Sequence, residues 1–228
     1  MGQMVEFPSN GSTGSGYLAT PTQGAGPGVV VIQEWWGLVD HIKDVCDRLA
    51  AEGFTALAPD LYRGEHASEP DEAGKLMMAL NLDEAAKDMG GAVDFLDGHD
   101  AVRGEGVGVI GFCMGGGLAL MLAVQKAGQV KACVPFYGVI PWPSVQPDWS
   151  RLQAAVQGHY AEKDAFFTPE AAQQLEADLH QLGKEAQVFV YQGADHGFFN
   201  DTRADVHDEH AARQAWTRTL EFVRAKLG

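Results

Sequence analysis

Positive charge is scarce in this sequence: Lys and Arg number 16 against 31 Asp and Glu, a net charge of −15 over 228 residues. A surface that acidic repels nucleic-acid phosphates and anionic lipid headgroups, so neither is an expected partner. Cysteine is sparse too. Cys46, Cys113 and Cys133 form no CxxC pair and no zinc-finger spacing, so they read as reduced thiols of a cytoplasmic protein rather than a disulfide or metal framework. No apolar run approaches the roughly 18 residues that cross a bilayer. The opening MGQMVEFPSNGSTGSGY has neither a basic nor an apolar signal-peptide region, and Glu6 stands where a myristoylation pattern requires Ser or Thr. His207 and His210 form an H-x-x-H pair on the expected terminal helix with no carboxylate or cysteine at zinc spacing to complete a set, so no metal is expected. Apolar residues at 46% and charged residues at 21% exclude a disordered chain and a coiled coil.

What is present is an alternation. Short β-branched runs, apolar on both faces, recur at 28–34 (GVVVIQE), 54–59, 106–112 (GVGVIGF), 130–137, 152–160 and 186–191. Such runs read as buried parallel strands. Between them lie segments of helical periodicity at 40–52, 70–80, 83–96, 114–127, 169–182 and from about 206 to 227. The polar, Gly-rich opening reads as a hairpin around Asn10-Gly11 with a strand at 16–20, and residues 138–151, with Pro141, Pro143 and Pro147, as a loop. Strands alternating with helices imply βαβ units with right-handed crossovers, hence a doubly wound, mostly parallel sheet with helices on both faces. With no repeat, linker or low-complexity block, residues 1–228 read as one α/β domain. In such sheets ligands sit beyond the carboxyl ends of the strands.

Gly106-x-Gly108-x-x-Gly111 matches the dinucleotide-binding pattern, but its first two glycines fall inside a strand run and no acidic strand end follows at the required distance. No cofactor is therefore expected. Shifting the frame gives Gly111-Phe112-Cys113-Met114-Gly115-Gly116 at a strand-to-helix junction, the context of a nucleophile elbow with Cys in place of Ser. Small residues two before and two after let strand and helix approach while the nucleophile points outward. The positive end of the helix dipole favours a thiolate there, and the Met114 N–H becomes one oxyanion donor. A buried structural cysteine in a Gly-rich turn fits the local motif equally well, and the rest of the chain decides between them. Asp164 follows the fifth buried strand and His196 the sixth, giving the order nucleophile, acid, base with all three at strand ends. Glu162 and Asp195 are the rival acids; adjacency to His196 disfavours Asp195, and loop position favours Asp164. His159 belongs to its strand. After the first buried strand comes Gln33-Glu34-Trp35-Trp36-Gly37, where this arrangement takes its second oxyanion donor, assigned to the Trp35 N–H. Glu34 closes that strand pointing into the cleft, and the tryptophans are either core or pocket wall.

With these residues in place, the chain resembles the dienelactone hydrolase family, a cysteine-using branch of the α/β-hydrolases, from about Gly16 to Leu227. The resemblance rests on VVVIQEWWG, FTALAPDLYRG, GFCMGGG, PFYGV, HYAEKDAFF and GADHGF, in order and on the expected elements. It implies an α/β-hydrolase fold, ester or lactone hydrolysis without a cofactor, Cys113 as nucleophile, His196 as base and Asp164 as its orienting acid. It also implies that Glu34 contacts the thiol at rest and helps generate the thiolate when substrate binds. Trp36, Tyr137 and Phe198 are expected beside the substrate. The sequence departs from the family where a substrate carboxylate would be held: Asn200 stands where an arginine belongs four residues after His196, and near 69–75 the only cation is Lys75. Arg63 and Arg203 are the nearest substitutes. The expected substrate is therefore a neutral or weakly polar ester or lactone. The rival expectation is a thiol redox sensor or inert relative, with Cys133 as the candidate resolving thiol.

Overall fold

The computed structural model describes residues 2–9, 11–138, 140, 142 and 145–228. Asn10 of the expected hairpin turn, and Pro141 and Pro143 of the expected loop, lie outside them. The strands are β1 (Gln3–Ser9), β2 (Ser12–Ala19), β3 (Gly26–Ile32), β4 (Thr55–Pro59), β5 (Val102–Phe112), β6 (Val130–Phe136), β7 (Ala155–Ala161) and β8 (Ala186–Tyr191). The helices are α1 (Asp40–Ala51), α2 (Pro70–Ala79), α3 (Leu82–Asp97), α4 (Met114–Gln125), α5 (Pro169–Gln181) and α6 (Glu209–Leu227). All eight strands form one sheet in the order β1-β2-β4-β3-β5-β6-β7-β8. β2 runs antiparallel to both β1 and β4, and the pairs from β4 through β8 are parallel.

The strand sequences explain the layering. In β3, Val30 and Ile32 enter a core shared with α3, α4 and α5, while Val29 and Val31 enter a second core shared with α1 and α6. Both faces are covered, so every second position cannot be polar and the run stays apolar throughout. Fully burying one such valine contributes about 1.5–3 kcal/mol. Helix starts are marked by short polar side chains: Asn81 accepts the N–H groups of Asp83 and Glu84, Thr168 that of Ala171 and Asp208 that of Ala211.

Several boundaries differ from the sequence reading: β5 starts at Val102 rather than 106, and β3 runs Gly26–Ile32 rather than 28–34. The expected opening hairpin is formed by β1 and β2, with Ser9 opposite Ser12, and its second strand runs Ser12–Ala19 rather than 16–20. The fifth buried strand starts at Ala155, three residues later than expected. The terminal helix starts at Glu209 because the Asp208 carboxylate caps it, so His207 precedes the helix and its Nδ1 donates to the Phe198 carbonyl instead of sharing a helical face with His210.

Candidate active site

The junction of β5 and α4 is a sharp turn made possible by glycine. A Cβ on Gly111 would sit 2.0 Å from the Gly115 carbonyl oxygen, and one on Gly115 would sit 2.3 Å from the Gln33 carbonyl oxygen. Cys113, between them, adopts φ 55° and ψ −122°, a region sparsely populated by L-residues. The turn is held by the Cys113 N–H donating to Phe136 and by the Gly116 N–H closing on the Cys113 carbonyl. Its thiol is half-buried.

Asp164 and His196 come from the turns after β7 and β8, adjacent parallel strands, and so meet at the same sheet edge. His196 Nδ1 lies 2.6 Å from Asp164 Oδ2, and the carboxylate is fully buried. Asp164 Oδ1 accepts the N–H groups of Phe166 and Phe167 at 2.8 and 3.0 Å. Burial works against an imidazolium at His196, but side-chain hydrogen bonds to Asp164 and Cys113, with the negative charge of both, outweigh it and raise its pKa to about 10. Of the rivals, Glu162 accepts the Gly193 N–H and Asp195 lines the cavity, and among the described residues neither carboxylate is hydrogen-bonded to His196.

Glu34 lies two residues past the end of β3, whose Ile32 pairs with Gly111 of β5. Its carboxylate is buried, but neither oxygen bonds the thiol. Tyr137 Oη donates to Oε1 at 3.2 Å and Asn200 Nδ2 donates to Oε2 at 2.8 Å. Trp35 and Met114 contribute to the cavity wall, and no hydrogen bond claims either backbone N–H among the described residues. An N–H in the first turn of α4 has no partner inside its helix.

The cavity in front of Cys113 measures about 360 Å³ and is walled by Trp35, Met77, Met114, Ala165, Phe166 and Val206, with Lys163, Asp195, His196 and Arg203 supplying the polar edges. Of the expected substrate contacts, Arg203 lines this space and four others do not. Tyr137 is fully buried behind His196, its ring 5.0 Å from the imidazole and its hydroxyl committed to Glu34. Phe198 is core, packed against Tyr137, Phe136 and Tyr191. Trp36 faces a neighbouring cavity of about 260 Å³, with the Arg203 guanidinium 5.6 Å over its ring. Arg63 is drawn away by Asp88 and Glu84, at 3.2 and 3.4 Å. Sequence reasoning passed over Met77 and Val206, which reach the cavity from α2 and from the approach to α6. It passed over Phe166 as well, although Phe166 lies inside the quoted HYAEKDAFF segment. His159 is a strand residue: buried between Tyr191 and Thr219, it is pushed down to about 3 by desolvation and the Arg218 charge.

Comparison with known proteins agrees with this arrangement. Residues 15–227 match the profile of the dienelactone hydrolase family. The chain is 38% identical to the "Putative carboxymethylenebutenolidase" of Aquifex aeolicus and 40% identical to "Protein usf" of Aquifex pyrophilus, covering all of both chains in each pair. It superposes with a TM-score of 0.87 on the crystal structure titled "Putative Dienelactone Hydrolase" from Klebsiella pneumoniae, at 28% identity over 98% of each chain. The chain belongs to the dienelactone hydrolase family of the α/β-hydrolase fold and is an ester or lactone hydrolase.

Proposed function

We propose that this protein hydrolyses neutral or weakly polar carboxylic esters or lactones through a Cys113–His196–Asp164 triad. The observation that carries the reading is the unbroken line from Asp164 through His196 to Cys113, ending at the floor of a cavity whose walls are mainly apolar. The Cys113 thiolate attacks the carbonyl carbon, and the N–H groups of Trp35 and Met114 receive the oxyanion. One such donor typically supplies about 2.7–4 kcal/mol of transition-state stabilisation. The tetrahedral intermediate collapses to a thioester as His196 Nε2 gives its proton to the leaving alkoxide. His196 then takes a proton from water, the hydroxide attacks the thioester, and collapse releases the acid and restores the thiolate. Asp164 fixes the ring so that Nε2 faces the sulfur.

A neutral substrate fits the cavity's charges. The Arg203 guanidinium is 2.6 Å from Asp205, and Lys163 is exposed at the same rim, so neither the arginine nor the lysine of the lining is a buried cation held for a substrate carboxylate. The sensor alternative lacks its second thiol. Cys133 pairs with Val109, four residues before Cys113 along β5, roughly 13 Å at strand rise, beyond disulfide reach. Burial also pushes the Cys133 thiol up and keeps it protonated.

The test is hydrolysis of a panel of 4-nitrophenyl esters and simple lactones, dienelactone included, by the native protein and by Cys113→Ala. Turnover of uncharged esters that disappears in the variant is expected. Undiminished turnover by Cys113→Ala would end the thiol mechanism, and preference for dienelactone over uncharged lactones would end the neutral-substrate assignment.

A further inference from the structure

The cavity in front of Cys113 has a neighbour. A second cavity of about 260 Å³ is lined by the apolar Trp36, Val39 and Ala67 and by the exposed Ser68 and Thr202. Arg203 lines both spaces. The tryptophan pair repeats the division: Trp35 walls the first cavity and Trp36 the second, their rings edge to face at 5.1 Å. Most of the second cavity is pinned by backbone. The Ala67 N–H donates to the Trp36 carbonyl at 2.9 Å, and Gly37 bridges to His66. Buried Asn200, also in its lining, has its side-chain amide committed to Glu34 and Thr202. These walls are in place before any ligand enters. Arg203 is fixed differently. Its backbone is held in a turn, the N–H donating to the Asn200 carbonyl and the carbonyl accepting the Val206 and His207 N–H groups. Its guanidinium is held by Asp205 at 2.6 Å and by the face of Trp36 at 5.6 Å. Asp205 is 63% exposed, so water screens that ion pair and it holds weakly.

We infer that Arg203 is a specificity-determining residue: its side chain is a movable partition between the two cavities and sets how long an arm of the ester the site accepts. The inference rests on the reading of the Cys113 cavity as the seat of ester hydrolysis. An arm that fills the first cavity meets the guanidinium next. To go further it displaces that group to solvent, which breaks a screened ion pair and one contact with an aromatic face. The arm then lies against Trp36, Val39 and Ala67. The second cavity therefore takes an uncharged acyl or alkyl segment, because the one charged group in its lining is the arginine that moves out. Each methylene carried from water into such a space favours binding about fourfold. The gain from two or three of them exceeds what the displaced contacts held, so chain length decides whether the partition opens.

The test is kcat/KM along two substrate series: 4-nitrophenyl acetate to decanoate, which lengthens the acyl arm, and ethyl to decyl acetate, which lengthens the alcohol arm. It compares native protein, Arg203→Ala, Asp205→Asn and the Arg203→Ala/Ala67→Leu double variant. The readout is the ratio of long to short substrate within each protein, which a general loss of folded enzyme does not move. Arg203→Ala is expected to raise that ratio in one of the two series by about tenfold, near the worth of two buried methylenes, and to do so through KM rather than kcat. Asp205→Asn frees the guanidinium without removing it. It is expected to raise the same ratio by about twofold, and it carries the test if Arg203→Ala folds poorly. Ala67→Leu narrows the second cavity, so the double variant is expected to return the ratio toward the native value. Ratios unmoved in both series by Arg203→Ala and Asp205→Asn would overturn the inference. So would a rise in Arg203→Ala that Ala67→Leu leaves intact, because the arm would then lie elsewhere. A selective loss of Arg203→Ala activity on an anionic hemisuccinate ester would overturn it as well, by making the arginine a charge contact. The thiol mechanism is judged separately by turnover in Cys113→Ala, and the ratios read the same way whichever residue attacks, so the two failures are distinguishable.

Discussion

Asp164 divides its carboxylate between His196 and the loop that walls the cavity: Oδ2 holds the imidazole at 2.6 Å while Oδ1 holds the N–H groups of residues 166 and 167. Orientation of the base and placement of Phe166 therefore depend on one side chain. Asp164→Asn separates the two roles. Its Oδ1 still accepts both N–H groups, but its amide donates toward His196 Nδ1 and turns the ring to the wrong tautomer. We expect kcat/KM to fall by about 10³–10⁴ with little change in Tm, measured by ester hydrolysis and thermal unfolding. An equal loss in both would mean that the loop, not the base, fails first.

The raised value at His196 gives a pH dependence of definite sign. Its folded pKa, about 10, lies above the unfolded value near 6.5. The stability it contributes is complete below the unfolded value and is lost as pH rises through the folded one. Urea unfolding at about pH 6, 8 and 10 should show stability declining across that interval, with the decline absent from His196→Gln. Hydrolysis should lose its general acid over the same range and decline as pH approaches 10. A native protein whose unfolding free energy is unchanged between pH 6 and 10 would contradict the ion pair.

Phe166 is 75% exposed, yet it lies edge-on to His196, its ring 5.3 Å from the imidazole, and forms part of the cavity wall. An aromatic ring left in water at a site mouth costs little to remove from the fold and matters when an apolar substrate covers it. Phe166→Ala should leave Tm within about 1 °C, consistent with the small effect of surface substitutions. It should raise KM for long-chain esters more than for acetate, at nearly constant kcat. A uniform fall in kcat across the chain-length series would place the ring in orienting His196 instead.

Much of the fold was legible because its signals are local. The run GVVVIQE is apolar on both faces because β3 feeds two cores, and GFCMGG is glycine-rich because the elbow leaves no room for Cβ atoms. Asp164 and His196 meet because β7 and β8 are adjacent parallel strands that deliver their ends to one edge. The cavity wall was not readable. Met77, Phe166 and Val206 converge from α2, the turn after β7 and the approach to α6, and no local pattern registers that convergence. The errors have the same origin. Tyr137 follows β6 at the active edge but sits at φ 37° and points inward to Glu34, and Arg63 is claimed by the buried Asp88, 25 residues later. Asn200 registered in the sequence only as a missing arginine; its grip on Glu34 spans 166 positions.

The elbow and α2 supply the last prediction, because they give glycine opposite meanings. At Gly115 a methyl group would meet the Gln33 carbonyl at 2.3 Å, and that oxygen belongs to the backbone leading into Glu34 and the Trp35 N–H. Neither side can yield without moving β3 relative to α4, so Gly115→Ala should cost about 3 kcal/mol, the upper end of overpacking penalties. The shift would also displace the two N–H groups proposed as oxyanion donors, so activity should fall further than stability alone predicts. Gly74 sits in the interior of α2 with nothing within 4 Å of the position a Cβ would take. There Gly74→Ala removes backbone freedom from the unfolded chain and should stabilise by about 0.5–1 kcal/mol. Urea unfolding of the two variants, with ester hydrolysis measured in parallel, tests both signs. Should Gly115→Ala retain native stability and turnover, the close approach of β3 to α4 cannot be what holds the oxyanion donors in place.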